Sequence, residues 1–98
     1  MQLPKPLSFQ WDKGNFDKNF KKHRVRNKET EEIFEDKNLK ILKDLKHSQK
    51  EERFFAYGIT KKKRKLHIVF TIRDREQQLR IISARDMSKR ERRYYEKT

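Results

Sequence analysis

Residues 66–84, Leu-His-Ile-Val-Phe-Thr-Ile-Arg-Asp-Arg-Glu-Gln-Gln-Leu-Arg-Ile-Ile-Ser-Ala, decide the fold. Leu66, Ile68, Phe70 and Ile72 alternate with His67, Val69, Thr71 and Arg73, a period of two that predicts a strand with one buried face. Asp74–Gln77 reads as a tight connection. Leu79–Ala84 is apolar at four of six positions and suits a central strand covered on both faces. Upstream, a basic turn at Lys61–Lys65 follows an aromatic-rich strand over Arg53–Thr60 that ends near Gly58. Downstream, Ser88-Lys89-Arg90-Glu91 has the spacing of a capping box and opens a final helix to Tyr95. Ser48–Glu51 repeats that pattern ahead of a strand, where it is read as chance.

Further out the signals shorten. Leu39, Ile41, Leu42 and Leu45 fit either a strand or a helix, brevity favouring the strand, and Asp44–Lys50 reads as a loop. Asn27 is placed to cap an acidic helix through Glu29, Glu31, Glu32 and Glu35, with Ile33 and Phe34 facing inward. Asp12 is placed to cap an earlier helix whose Phe16, Phe20 and His23 fall on one stripe, and Val25 packs between elements. Leu7, Phe9 and Trp11 alternate with polar residues as a first strand, behind a tail at residues 1–6. The order β-α-α-β-β-β-β-α with short links predicts one α+β domain over residues 1–98. It is an antiparallel meander with two N-terminal helices and one C-terminal helix packed on it.

Composition bounds the function. The chain has 28 Lys+Arg against 15 Asp+Glu, a net charge of +13, and 44% of its residues are charged. Leu, Ile, Val and Phe number 23 of 98, and 11% of residues are aromatic, so the chain sits above the disordered range of roughly under 20%. Charge is uneven: residues 1–60 carry 14 basic and 10 acidic side chains, residues 61–98 carry 14 and 5. A net charge beyond the magnitude of about 2–8 that solubility needs points to a polyanionic partner, first of all nucleic acid. There are no cysteines, hence no disulfide framework and no thiolate metal site. No apolar run reaches about 18 residues and no signal core precedes Phe9, so a cytoplasmic setting is expected. The carboxylates lack a paired-aspartate spacing, no His-x-x-x-His occurs, and only Gly14 and Gly58 are available for a phosphate loop. No metal site and no cofactor are expected.

Four motifs in order then carry a resemblance over about residues 9–95. The first is Phe9-x-Trp11-Asp12 with Asn15, Asn19, Lys22-His23 and Val25. The second is Ile33-Phe34-Glu35-Asp36. The third is His47-Ser48-x-x-Glu51-Glu52-Arg53-Phe54 with Gly58. The fourth is Leu79-Arg80-Ile81-Ile82-Ser83-Ala84-Arg85 with Ser88, Glu91-Arg92 and Tyr95. In these the chain resembles the BrnT family, the ribonuclease toxins of bacterial type II toxin–antitoxin pairs, with a compact RelE-like fold. It departs from the family at Arg24, where a glycine usually permits a left-handed helix stop, and at Arg26-Asn27, where Ser-Phe is usual.

The resemblance implies metal-independent endoribonuclease activity that inhibits translation. It also implies a BrnA-like ribbon-helix-helix antitoxin as partner, two toxins on an antitoxin dimer that binds operator DNA. Cleavage through the 2′-hydroxyl needs a base, an acid and cations around the phosphorane. His47 is the first candidate for base or acid, since histidine ordinarily titrates near neutral pH. Its bland reading is an exposed loop residue. Glu52 is an alternative base, or the group that orients His47, unless it forms a salt bridge to Arg53 or Arg80. Arg80 and Arg85 bracket the apolar strand and are the candidate transition-state cations, with ion pairs to the acidic helix as the alternative. Lys22, His23, Arg53 and Arg73 extend the RNA-binding set, although His23 also suits a packed position at the helix end. Arg92, Arg93, Tyr94 and Tyr95 combine cations with stacking rings, one tyrosine being expected under the sheet. His67 is read as a surface strand residue. A non-catalytic RNA-binding module, or a module that only binds an antitoxin, remains the alternative function.

Overall fold

The computed structural model describes all residues except 1, 2, 5, 48, 49, 74, 76 and 98. The elements are β1 (Phe9–Gln10), α1 (Lys18–His23), α2 (Asn27–Ile33), β2 (Lys40–Lys43), β3 (Phe54–Ile59), β4 (Lys65–Arg73), β5 (Gln78–Asp86) and α3 (Lys89–Lys97). They form an α+β fold around one five-stranded sheet of order β1-β5-β4-β3-β2. Strands β2 to β5 are the antiparallel meander that short links dictate. The first strand departs from it: β1 joins parallel to β5, Phe9 opposite Leu79 and Gln10 opposite Arg80, which makes the sheet mixed. The long return through α1 to β4 permits that parallel pairing. The connection at 74–77 and the Ser48-x-x-Glu51 pattern fall partly outside the described residues.

The period of two separates two faces. Leu66, Ile68, Phe70, Leu79, Ile81 and Ala84 are fully buried with Val25, Ile33 and Ala56, under α1 and α2. The N-terminal segment read as a tail contributes Leu3 to the edge of this core. The opposite face gathers Phe55, Tyr57 and Ile59 with Met87 and Tyr95 of the C-terminal segment. There α3 covers one end only.

The N-terminal helix packs differently from its apolar spacing. Phe16 is 61% exposed, and the inward residues are Asn15 and Asn19. β1 pairs with β5 only at residues 79 and 80. The stretch of β5 beyond it finds side-chain partners instead. Asn15 Nδ2 donates to the Ile81 carbonyl at 3.0 Å, Lys18 Nζ to the Ile82 carbonyl at 3.0 Å, and the Ala84 N–H donates to Asn19 Oδ1 at 3.0 Å. Satisfying buried backbone groups outweighs burying one phenylalanine. Asp12 therefore closes a turn rather than a helix: its carbonyl accepts from the Asn15 and Phe16 N–H groups.

Helix ends differ likewise. Arg26, not Asn27, is the N-cap of α2, and its N–H donates to Glu29 Oε1 at 2.9 Å. The Ser88–Glu91 box forms as its spacing dictates, with N–H donors at 2.8 and 3.2 Å. Arg24 ends α1 in the left-handed region at φ 58°, so the glycine-type stop is kept with a side chain in place. That conformation costs about 1–2 kcal/mol for a residue with a Cβ.

Gly58 explains its place in the third motif. A Cβ there would lie 2.9 Å from both the Cβ and the carbonyl oxygen of Ile33. Helix α2 thus approaches β3 closely enough to exclude a methyl group. Gly58→Ala should lower stability by about 2–3 kcal/mol, since backbone cannot yield cheaply, and chemical denaturation would measure it. An unchanged denaturation midpoint would contradict this contact.

Candidate active site

On the face not covered by α1 and α2, strand register sets residues in rows. One row runs Thr71 on β4, Arg80 on β5 and Gln10 on β1. Arg53 stands beside it, just before β3, because Thr71 Oγ1 donates to the carbonyl of the preceding Glu52 at 2.7 Å. The other row runs Tyr57, His67 and Arg85 across β3, β4 and β5. Arg80 and Arg85 belong to different rows, so the two arginines of β5 do not converge on one phosphate.

At the Arg53 end of the first row is a cleft of about 710 Å³ lined by Lys46, His47, Lys50, Glu51, Arg53 and Arg73. His47 is anchored at its rim. Its Nδ1 lies 3.1 Å from Asp44 Oδ2, and its backbone N–H donates to Asp44 Oδ1 at 3.2 Å. Asp44 is buried at 4% exposure, while the His47 side chain is 59% exposed. A neutral imidazole so bound donates from Nδ1 and carries its lone pair on Nε2. The orienting carboxylate is Asp44, not Glu52, whose side chain pairs with Lys43 at 2.9 Å on the sheet edge. Glu51 instead faces the cleft and lies 3.0 Å from Arg73 and 3.9 Å from Arg53. Arg80 is held by Asp12 Oδ2 at 2.5 Å and Gln10 Oε1 at 3.3 Å, which lowers the Asp12 pKa through that hydrogen bond. Its carboxylate partner is in the β1–α1 turn, not on the acidic helix.

The second row is sealed. Arg85 grips Glu91 at 2.8 and 2.9 Å and so clamps α3 onto the sheet. Burial works to raise the Glu91 pKa, but the Arg85 and Ser88 hydrogen bonds prevail and bring it to about 2. His67, expected at the surface, is 7% exposed, stacked on Tyr57 and edge-on to Phe55, both with ring centroids 5.0 Å away. Among the described residues neither ring nitrogen has a hydrogen-bond partner, and Nδ1 lies 3.6 Å from Glu91 Oε2. Burial and then the Arg85 charge push its pKa down to about 4, against Glu91 and Asp44. The sequence signal was present: Phe55, Tyr57 and His67 all alternate away from the core.

Of the remaining candidates, Tyr95 is buried and donates its hydroxyl to Asp36, so it is a packing residue and does not face RNA. Tyr94 stays 39% exposed beside Tyr57. Arg92 and Arg93 are exposed on α3, Lys22 is exposed on α1. His23 is half-buried, and its carbonyl accepts from Arg64. These last residues lie apart from the His47 cleft.

The model of a family described as "Ribonuclease toxin, BrnT, of type II toxin-antitoxin system" matches residues 11–91. The chain belongs to the BrnT family. A search among curated proteins finds no match. BrnT proteins are ribonuclease toxins of type II pairs, so an RNA target and an antitoxin partner come with membership. The matched span includes every residue of the His47 cleft. No helix among the described residues is long and apolar enough to cross a membrane.

Proposed function

We propose that this BrnT chain cleaves RNA by attack of the ribose 2′-hydroxyl on the adjacent phosphate, without a metal ion, and so inhibits translation in the cytoplasm. The observation that carries this reading is the Asp44–His47 pair at the rim of a cleft lined by Arg53 and Arg73. His47 Nε2 takes the 2′-hydroxyl proton as the 2′-oxygen bonds to phosphorus. Arg53 and Arg73 stabilise the phosphorane charge, which a delocalised guanidinium does without losing its own proton. The bond to the 5′-oxygen breaks, and Lys46 supplies the proton that the leaving oxygen takes up. The products are a 2′,3′-cyclic phosphate and a 5′-hydroxyl. Arg80 holds a neighbouring phosphate in the same row. Arg85 acts at a distance by clamping α3, and Glu52 steadies the β2 edge through Lys43. Exposed Arg92, Arg93 and Tyr94 receive RNA leaving the face, with Lys22 and His23 contacting it beyond the sheet edge. The partner is a BrnA-like ribbon-helix-helix antitoxin, two toxins per antitoxin dimer, with operator binding through the antitoxin.

Cleavage of an end-labelled RNA in EDTA tests this reading. Expected are fragments with 2′,3′-cyclic phosphate ends, an intact 2′-O-methyl control, and arrest of a cell-free translation reaction. Dependence on added Mg²⁺, or cutting of the 2′-O-methyl control, would overturn the mechanism. Binding without any cleavage would leave an RNA-binding module.

A further inference from the structure

A second concentration of cations lies on the helical side of the sheet. The end of α1, the start of α2 and the β3–β4 turn enclose a cleft of about 700 Å³. Arg24 and Arg26 both stand over the Phe20 ring there, 5.4 and 4.8 Å from its centroid. Lys28, Lys61 and Lys62 complete the rim. Its two carboxylates are already engaged: Glu29 takes Arg64 Nη1 at 3.2 Å and the Arg26 N–H, and Glu32 takes the Lys61 N–H at 3.1 Å. Among the described residues, no carboxylate pairs with the side chains of Arg24, Arg26, Lys28, Lys61 or Lys62. Two guanidiniums drawn to one ring in a cleft rimmed by lysines repel one another and their neighbours, and a bound anion relieves that repulsion.

We propose that this cleft is a second RNA contact, a phosphate-backbone site separate from the His47 face. It rests on RNA being the substrate. An acidic protein segment has the charge but needs apolar anchors, because interface energy concentrates in buried aromatic and aliphatic pockets. Among the described residues Phe20 is the one apolar side chain lining the cleft, and both guanidiniums stand over it. Guanidinium groups are bidentate donors that suit phosphate oxygens. The left-handed backbone at Arg24 fits this role: a cation is kept where glycine would relax the chain.

The test is binding to a 30-nucleotide 2′-O-methyl RNA, which reads contact without cleavage. An Arg24→Asn, Arg26→Gln, Lys61→Gln variant is compared with a charge-matched Lys13→Gln, Lys37→Gln, Lys97→Gln control across salt concentrations. Asparagine tolerates the left-handed backbone, and thermal melting verifies that both fold. Three lost phosphate contacts should flatten the log–log salt slope by about 2 and weaken binding about 100-fold at 0.1 M salt, since each single-strand contact contributes about 0.7. The control should change the slope by far less. Equal slopes for both variants would overturn the site. So would unchanged RNA binding by the variant together with loss of a poly-glutamate peptide that the wild type binds, which would assign the cleft to an acidic protein segment. Failure of wild-type cleavage in EDTA would instead count against the ribonuclease mechanism, and the two outcomes are separable.

Discussion

His47→Ala should lower the RNA cleavage rate by about 10²–10⁴-fold, the range that one positioned acid–base group supplies. The fold should survive, because the side chain is mostly solvent-exposed and makes one side-chain contact, from Nδ1 to Asp44. RNA affinity should change little, since Arg53 and Arg73 remain to hold phosphate. The diagnostic readout is chemical rescue. Imidazole added to the His47→Ala protein should restore part of the rate, because the deletion leaves room at the rim for a small base. A variant that cleaves like wild type would remove His47 from the mechanism. An impaired variant that imidazole does not rescue would give the residue a structural role. Asp44→Asn sharpens the comparison. It keeps the side-chain shape and removes the negative charge that stabilises the imidazolium. Its rate should fall between wild type and His47→Ala.

The strands of this fold were legible because burial is periodic where the sheet is regular. Leu66, Ile68 and Phe70 announce the inner face of β4, and the Ser88–Glu91 pattern announces the last helix because both halves of a capping box are local. What escaped the sequence depends on partners distant in the chain. Asn15 and Asn19 displaced Phe16 from the interior because Ile81 and Ala84 offer backbone groups that β1 is too short to reach. Nothing in residues 12–23 reveals that requirement. The parallel placement of β1 is of the same kind. At the candidate site, the loop and spacing single out His47 as a candidate, whereas the sequence pattern offers Glu52 as its orienting carboxylate and the structure has Asp44 in that place. Asp44 three residues earlier was the available signal: an Asp-x-x-His spacing lets one turn close on itself, while alternation sends Glu52 and Arg53 opposite ways. Arg80 and Arg85 illustrate the converse. Both flank the same apolar run, yet five residues along a bulged strand separate them into different rows.

The second row governs acid stability. His67 holds a proton less well in the folded protein, at about 4, than in an unfolded chain, at the ordinary 6.5. The unfolded state therefore binds more protons between those values, and stability falls as pH drops from 6.5 toward 4. Burial is the largest cause, and the Arg85 guanidinium adds to it, while the Glu91 and Asp44 carboxylates oppose it. The full difference corresponds to about 3 kcal/mol at the acid end of that window. Glu91 acts lower: its folded pKa near 2 gives stability that is complete above 4.5 and lost below it. Above pH 6.5 neither group imposes a slope. His67→Phe isolates the first contribution. The ring can keep its stack on Tyr57 and its edge contact with Phe55, and it removes two buried nitrogens that have no hydrogen-bond partner among the described residues. At pH 7 the variant should be as stable as wild type or more so, and its denaturation midpoint should stay level from pH 6.5 to 4.5 while that of wild type declines. Parallel declines in the two proteins would show that other groups take up the protons. A level variant would place the acid sensitivity of the fold under α3, where Arg85 and Glu91 close the sheet.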